Sequence, residues 1–258
     1  MKYITFLSFL SFCWHTPPKN TVERAAQNPS LQKLVASYPD FLQKAEGNIL
    51  VWRDGSSMAY DDGKTPADYL HLLDEADLRD QMENTPYPQG ENTPTPTHNT
   101  DPGRVRCEAF FMKMYGNDAA AVAKNLVNVD WFGTPLRVTK LNGADKALLL
   151  VRDELAAQPD LRKYLTTPGG TFMWRIIAQT HRLSMHSFGI AIDINTKYSD
   201  YWQWAGKGVK IKEGSPNIAY KNRIPMAIVT IFEKHGFIWG GKWYHYDTMH
   251  FEYRPELL

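Results

Sequence analysis

The sequence predicts an α+β chain organised around a small antiparallel sheet with flanking helices, on three observations. Short alternating runs gather towards the C-terminus: Ile190, Ile192 and Ile194 alternate with Ala191 and Asp193, and Phe237-Ile238-Trp239 and Met249 to Tyr253 follow. Their period of two is that of strands. Ala144, Leu148, Val151 and Leu155 form the apolar stripe of a helix. Helices and strands do not alternate regularly along the chain, which argues against a doubly wound parallel sheet.

Taken in order, residues 1–17 open with Met1-Lys2-Tyr3, continue through a mostly apolar stretch from Ile4 to Trp14, and reach Pro17-Pro18. That run is too short to span a bilayer, which takes about 20 residues. It fits a signal peptide and an exported protein. Phe12 before Cys13 disfavours lipidation at that cysteine. Residues 18–103 form an N-terminal extension. Within it, Ile49 to Trp52 reads as a strand running into an Arg53-Asp54-Gly55 turn. Pro66 to Asp80 reads as a helix capped by Thr65. Residues 83–102 carry Pro86, Pro88, Pro94, Pro96 and Pro102 and read as a long exposed loop, since proline cannot sit in a helix interior or a central strand.

Order resumes in residues 104–258, where the chemistry is expected. Asp118 caps a helix carrying Val122, Leu126 and Val129. Leu136 to Leu141 is a strand closed by Asn142-Gly143, and a second helix runs from Ala144. Phe172, Trp174, Ile176 and Ala178 alternate with Met173, Arg175, Ile177 and Gln179 as in a strand. Pro225 to His235 is a helix stopped by Gly236, and the last two strands are joined by a Gly240-Gly241 loop.

Composition narrows the class. The 258 residues are 43% hydrophobic and 22% charged, with a formal net charge of +1. This is ordinary for a globular protein and lacks the basic excess that marks a nucleic-acid partner. The two cysteines, Cys13 and Cys107, cannot pair within the chain once the leader is removed.

Two segments carry chemistry. In Ser184-Met185-His186-Ser187-Phe188-Gly189-Ile190-Ala191-Ile192-Asp193, a carboxylate sits in an otherwise apolar strand, which is costly unless it is paired or metal-bound. His186 and Asp193 lie seven residues apart, roughly 23 Å if extended. To share one ion the chain must bend, and Gly189 permits it. A His–Asp ion pair satisfies the same spacing. The second segment, Trp243 to Glu252, places Asp247 three residues before His250 and Glu252 two after it. Two histidines and an aspartate fill three positions of a tetrahedral zinc and leave one for water.

These two motifs, Ser-x-His-x-x-Gly-x-Ala-x-Asp and Asp-x-x-His, resemble the M15 peptidases. That family includes D-alanyl-D-alanine carboxypeptidases and L-alanyl-D-glutamate peptidases. Gly170 to Arg175 and Phe237 to Trp243 resemble its carboxypeptidase-like branch. The resemblance is strongest over residues 167–255. It implies a hedgehog/D-Ala-D-Ala-peptidase-like zinc site, with one Zn2+ per chain held by His186, Asp193 and His250. It implies Asp247 as general base, where many relatives carry Glu, and Arg175 as the group steadying an oxyanion or a substrate carboxylate. The implied substrate is a peptidoglycan peptide. The rival reading is a non-catalytic zinc-binding module of hedgehog-like fold. Among the neighbours, Glu252 is expected to orient a ligand. His181 and His245 are expected to be hydrogen-bonded rather than fourth ligands, and Ser184 to bond backbone near the bend. Tyr198, Tyr201, Trp202 and Trp204 suit a groove wall and a packed cluster about equally.

Overall fold

A computed structural model describes residues 28–92, 95–206 and 211–258. The leader expected over residues 1–17 lies outside them. The chain is α+β, with three small antiparallel sheets and flanking helices. Helix α1 (Pro29–Ser37) starts where Asn28 accepts hydrogen bonds from the backbone of Ser30 and Leu31, with proline in the first turn. It is followed by a three-stranded sheet of β1 (Leu42–Glu46), β2 (Ile49–Trp52) and β3 (Ser57–Ala59).

The helix expected over Pro66 to Asp80 is two helices. Asp68 caps α2 (Tyr69–Glu75), and Asp77 caps α3 (Leu78–Glu83) through a reciprocal capping box with Asp80. Two aspartates competing as caps divide the segment at Ala76. The proline-rich loop is less free than its composition suggests. Tyr87 is buried and donates to Glu233, and Lys242 reaches the carbonyls of Pro88 and Gly90.

After α4 (Glu108–Tyr115), the helix capped by Asp118 is only α5 (Ala119–Ala123). Leu126 and Val129, expected on that helix, instead lie on β4 (Leu126–Trp131), paired residue for residue with β5 (Thr134–Thr139). Three apolar residues at spacings of four and three fit a helix, but a hairpin partner with its own Leu136 and Val138 overrides that weak preference. Helices α6 (Ala144–Ala156) and α7 (Arg162–Leu165) follow, and α6 buries the stripe Leu148, Val151 and Leu155.

The sheet that bears the site has the order β6 (Pro168–Gly170), β7 (Ala191–Asn195), β9 (His250–Tyr253), β8 (Phe237–Trp239), antiparallel throughout. Helix α8 (Met226–Lys234) covers one face, with Phe232 stacked on Phe251 at 3.9 Å between ring centres. Gly236 follows it at φ +87°. Phe172 to Ala178 is not a strand of this sheet. It is an extended segment whose alternate amides bond to residues 182–187: Met173 to His186 O, Arg175 to the Ser187 hydroxyl and Ile177 to Arg182 O. Ile176 is therefore exposed, not inward-facing.

Residues of the N-terminal extension share the main core. Leu31, Leu34, Tyr38, Trp52 and Leu78 belong to one buried cluster with Ile192, Phe232 and Phe251. No helix among the described residues is long and apolar enough to cross a membrane.

Candidate metal centre

Register does most of the work of assembling the site. Asp193 and His250 face each other across β7 and β9, as do Ala191 and Glu252, so all four side chains leave one face of the sheet. His186 arrives from a 3-10 turn, Met185–Phe188, ended by Gly189 at φ +69°. A Cβ at Gly189 would stand 2.5 Å from a Leu126 methyl, so both conformation and space require glycine there. This is the bend demanded by the seven-residue spacing.

The three donor atoms converge. His186 Nε2 lies 3.1 Å from Asp193 Oδ1, His250 Nδ1 lies 2.8 Å from the same oxygen, and the two nitrogens are 3.2 Å apart. A tetrahedral zinc with ligand bonds near 2.0–2.1 Å separates its ligands by about 3.3 Å. The outer nitrogens are engaged elsewhere. His186 Nδ1 donates to Thr171 O at 2.5 Å, and His250 Nε2 donates to Glu252 Oε1 at 2.9 Å. With the outer nitrogens protonated, each inner nitrogen can offer a lone pair to a cation shared with Asp193, and a proton on the His250 imidazole meets the same demand for positive charge.

The electrostatics agree. Burial opposes the charge on Asp193, yet His186 and His250 hold its carboxyl far below the usual range. Burial pushes the His250 imidazole down, but Asp193 and Glu252 outweigh this and raise it to about 10. Glu252 falls to about 2, because its bond to His250 and the charges of His250, Arg106 and Arg254 overcome burial. The cluster is built to hold positive charge.

Asp247 behaves differently. Its amide donates to Gly240 O at 3.0 Å, and its carbonyl accepts from His250 N at 3.2 Å, closing the turn into β9. Burial and the negative charge of Asp193 raise its carboxyl to about 7, against the pull of His250 and His186. Its Oδ1 is buried without a hydrogen-bond partner among the described residues. Asp247 lines one cavity of about 110 Å³ together with His186, Asp193 and His250. Arg104, Arg175, Ile177, Tyr201 and Trp202 line both this cavity and a neighbouring one of about 490 Å³.

Arg175 therefore stands on the cavity wall, though not by the strand alternation expected of it. It is exposed, and no carboxylate lies within 4.0 Å of its guanidinium among the described residues. Ser184 lines the cavity, and the hydroxyl that ties the backbone near the bend is that of Ser187. His245 is fully engaged, with Nδ1 against Asp101 at 2.6 Å and Nε2 accepting from Gly214 N at 3.0 Å. The aromatic residues divide: Tyr201 and Trp202 wall the cavities, whereas Tyr198 packs on Tyr164. Arg106, missed in the sequence reading, also lines the cavity, and its guanidinium donates to Leu183 O at 2.6 Å. About eighty residues separate it from His186, and no local pattern marks it.

Comparison with protein families supplies the class. Residues 178–253 match the family model described as D-alanyl-D-alanine carboxypeptidase, so the chain carries a peptidase domain of that type. Over this segment the chain is similar to the M15 peptidases. The match covers less than half of the chain. It contains His186, Asp193, Asp247 and His250 and leaves Arg175 and Arg106 outside. Comparison with curated proteins and with solved structures gives no match.

Proposed function

We propose that the chain is an exported zinc-dependent peptidase that hydrolyses peptidoglycan stem peptides, as a D-Ala-D-Ala carboxypeptidase or an L-Ala-D-Glu type endopeptidase. The observation that carries this reading is the convergence of His186 Nε2, Asp193 Oδ1 and His250 Nδ1 beside the raised carboxyl of Asp247. These three residues would hold the metal. When bound there, zinc supplies a Lewis acid and lowers the pKa of its water towards 7.

The remaining work falls to the chain's own residues. Asp247 accepts the proton lost by the water whose oxygen bonds to the scissile carbonyl carbon, and passes it to the leaving nitrogen as the C–N bond breaks, which releases a carboxylate and an amine. Burial and the charge of Asp193 raise this carboxyl in the metal-free site, and a bound dication would draw it back towards the ionised form that a base needs. Arg175 offers a fork of donors to the developing oxyanion or to a substrate carboxylate. The larger cavity receives the peptide on either side of the scissile bond. Glu252 and the Thr171 carbonyl hold the two imidazoles in the tautomer a metal needs. Export rests on the composition of residues 1–17, and residues 18–103 precede the peptidase region as an extension.

The test is digestion of purified peptidoglycan by the zinc-loaded protein, followed by mass spectrometry of the soluble fragments. Loss of a terminal residue or a split stem, abolished by a chelator and restored by zinc, is the expected result. An unchanged fragment profile with zinc-loaded, folded protein would overturn the reading.

A further inference from the structure

Behind the candidate metal centre runs a buried line of charge of which the mechanism uses only the first two members, His250 and Glu252. It follows the alternating positions of β9 and the segment after it: His250, Glu252, Arg254 and Glu256. Glu252 Oε1 accepts from His250 at 2.9 Å, and its Oε2 accepts from Arg254 at 3.4 Å. Arg254 Nε donates to Glu256 Oε1 at 2.5 Å, and Arg254 also donates to Gly103 O at 2.9 Å. Glu256 is then gripped from the N-terminal extension. Tyr38, on α1, donates to its Oε2 at 2.5 Å, and Gln81, on α3, donates to its Oε1 at 3.2 Å. The Gln81 carbonyl accepts from Cys107 N at 3.0 Å, which ties the same residue to the start of α4. Arg254 and Glu256 are wholly buried, and Glu252 and Gln81 are each 2% exposed.

We infer that Tyr38 and Gln81 are positioning residues of the metal centre, acting on His250 through Glu256, Arg254 and Glu252, so that the extension completes the site. The inference rests on His250 being a metal ligand. Its physical basis is the shortage of alternatives. With Arg254 and Glu256 wholly buried and Glu252 only 2% exposed, each carboxylate takes the orientation its protein partners dictate. Glu252 has one oxygen for His250 and the other for Arg254, so a turn of the Arg254 fork turns Glu252 and tilts the imidazole. The orientation of Arg254 is set in turn by Glu256, whose two oxygens are held by Tyr38 and Gln81. Partners behind a ligating histidine typically change metal affinity about 10–100-fold when removed, and the effect weakens with each further link.

The experiment measures zinc affinity by chelator competition, and the visible spectrum of the Co2+-loaded protein, in the full chain. Tyr38→Phe removes one oxygen and is the decisive variant; Gln81→Met is the second. Glu252→Gln should weaken zinc about 10–100-fold, and Tyr38→Phe and Gln81→Met by several-fold, each with a shifted Co2+ band. In a Glu252→Gln background the two distant substitutions should have no further effect, because the line is already cut. Glu233→Gln, which breaks a separate buried pair with Lys242, should lower melting temperature and leave zinc affinity unchanged. Native zinc affinity and an unaltered Co2+ spectrum in folded Tyr38→Phe and Gln81→Met would overturn the inference. Undiminished zinc binding in His250→Ala would instead overturn the assignment of the ligand.

Discussion

Replacing Gly240 by alanine should damage the site more than the fold. Gly240 opens the turn between β8 and Asp247, and its carbonyl holds the Asp247 amide at 3.0 Å. A Cβ at residue 240 would lie 2.6 Å from the Asp247 carbonyl oxygen and 3.0 Å from the Trp243 ring. An ordinary carbon–oxygen contact is about 3.3 Å or more, so the Asp247 backbone must retreat by about 0.7 Å or the ring must yield. The Trp243 ring is buried and its Nε1 donates to Pro102 O, so the backbone takes most of the shift. Catalytic groups displaced by about 1 Å can cost roughly 100-fold in rate, and overpacking costs about 1–3 kcal/mol in stability. Gly240→Ala should therefore lower kcat about 10- to 100-fold and lower melting by several degrees. Zinc affinity should fall far less than kcat, because His186 and Asp193 sit elsewhere in the chain and only His250, whose amide donates to the Asp247 carbonyl at 3.2 Å, feels the shift. Stem-peptide hydrolysis, calorimetry and metal analysis on one preparation read all three. A kcat within twofold of the parent would show that the placement of Asp247 is not what this turn controls.

Arg175→Lys keeps the charge and loses the fork, so peptide hydrolysis should fall about tenfold or more while melting stays within a degree or two; unchanged hydrolysis would move the role to Arg106 or Arg104. Burial pushes the Asp101 carboxyl up, but Arg104 and His245 outweigh it and lower it to about 2. A carboxylate depressed in the folded state adds stability above its unfolded pKa near 3.9 and loses it as pH falls towards 2, about 2 kcal/mol here. Denaturant titrations between pH 5 and pH 2.5 should show a steeper loss for the parent than for Asp101→Asn, and parallel curves would refute this. N-terminal sequencing of the exported protein should place the mature start between residues 14 and 20; a cytoplasmic product beginning at Met1 would contradict export.

The parts legible in the sequence are those whose cause is local. The alternation around Asp193 and His250 places them on strands, and the glycine after the His186 turn is demanded by distance alone. Helices α6 and α8 announce themselves by stripe and stop signal. The illegible parts depend on partners far away. Leu126 and Val129 satisfy a helical spacing and a strand, and only the β5 hairpin decides between them. Phe172 to Ala178 alternates like a strand, but its neighbour is the 182–187 turn and not the sheet, so the alternation does not divide core from solvent. Nothing in the local pattern of Arg254-Pro255-Glu256 marks its charges as buried; they are so because Tyr38 and Gln81, far away in the chain, close over Glu256. Arg104 and Arg106 follow the proline-rich loop as an unremarkable charged stretch, and the fold alone carries them to the cavity.

The most direct test is zinc content and hydrolysis measured together in Asp247→Asn. The amide keeps the shape of the side chain and its turn into β9 but cannot accept a proton. The expected result is one zinc per chain, as in the parent, with stem-peptide hydrolysis reduced about 10²–10⁴-fold. Hydrolysis within a few-fold of the parent at full zinc occupancy would contradict the assignment of Asp247 as the base beside a His186–Asp193–His250 metal.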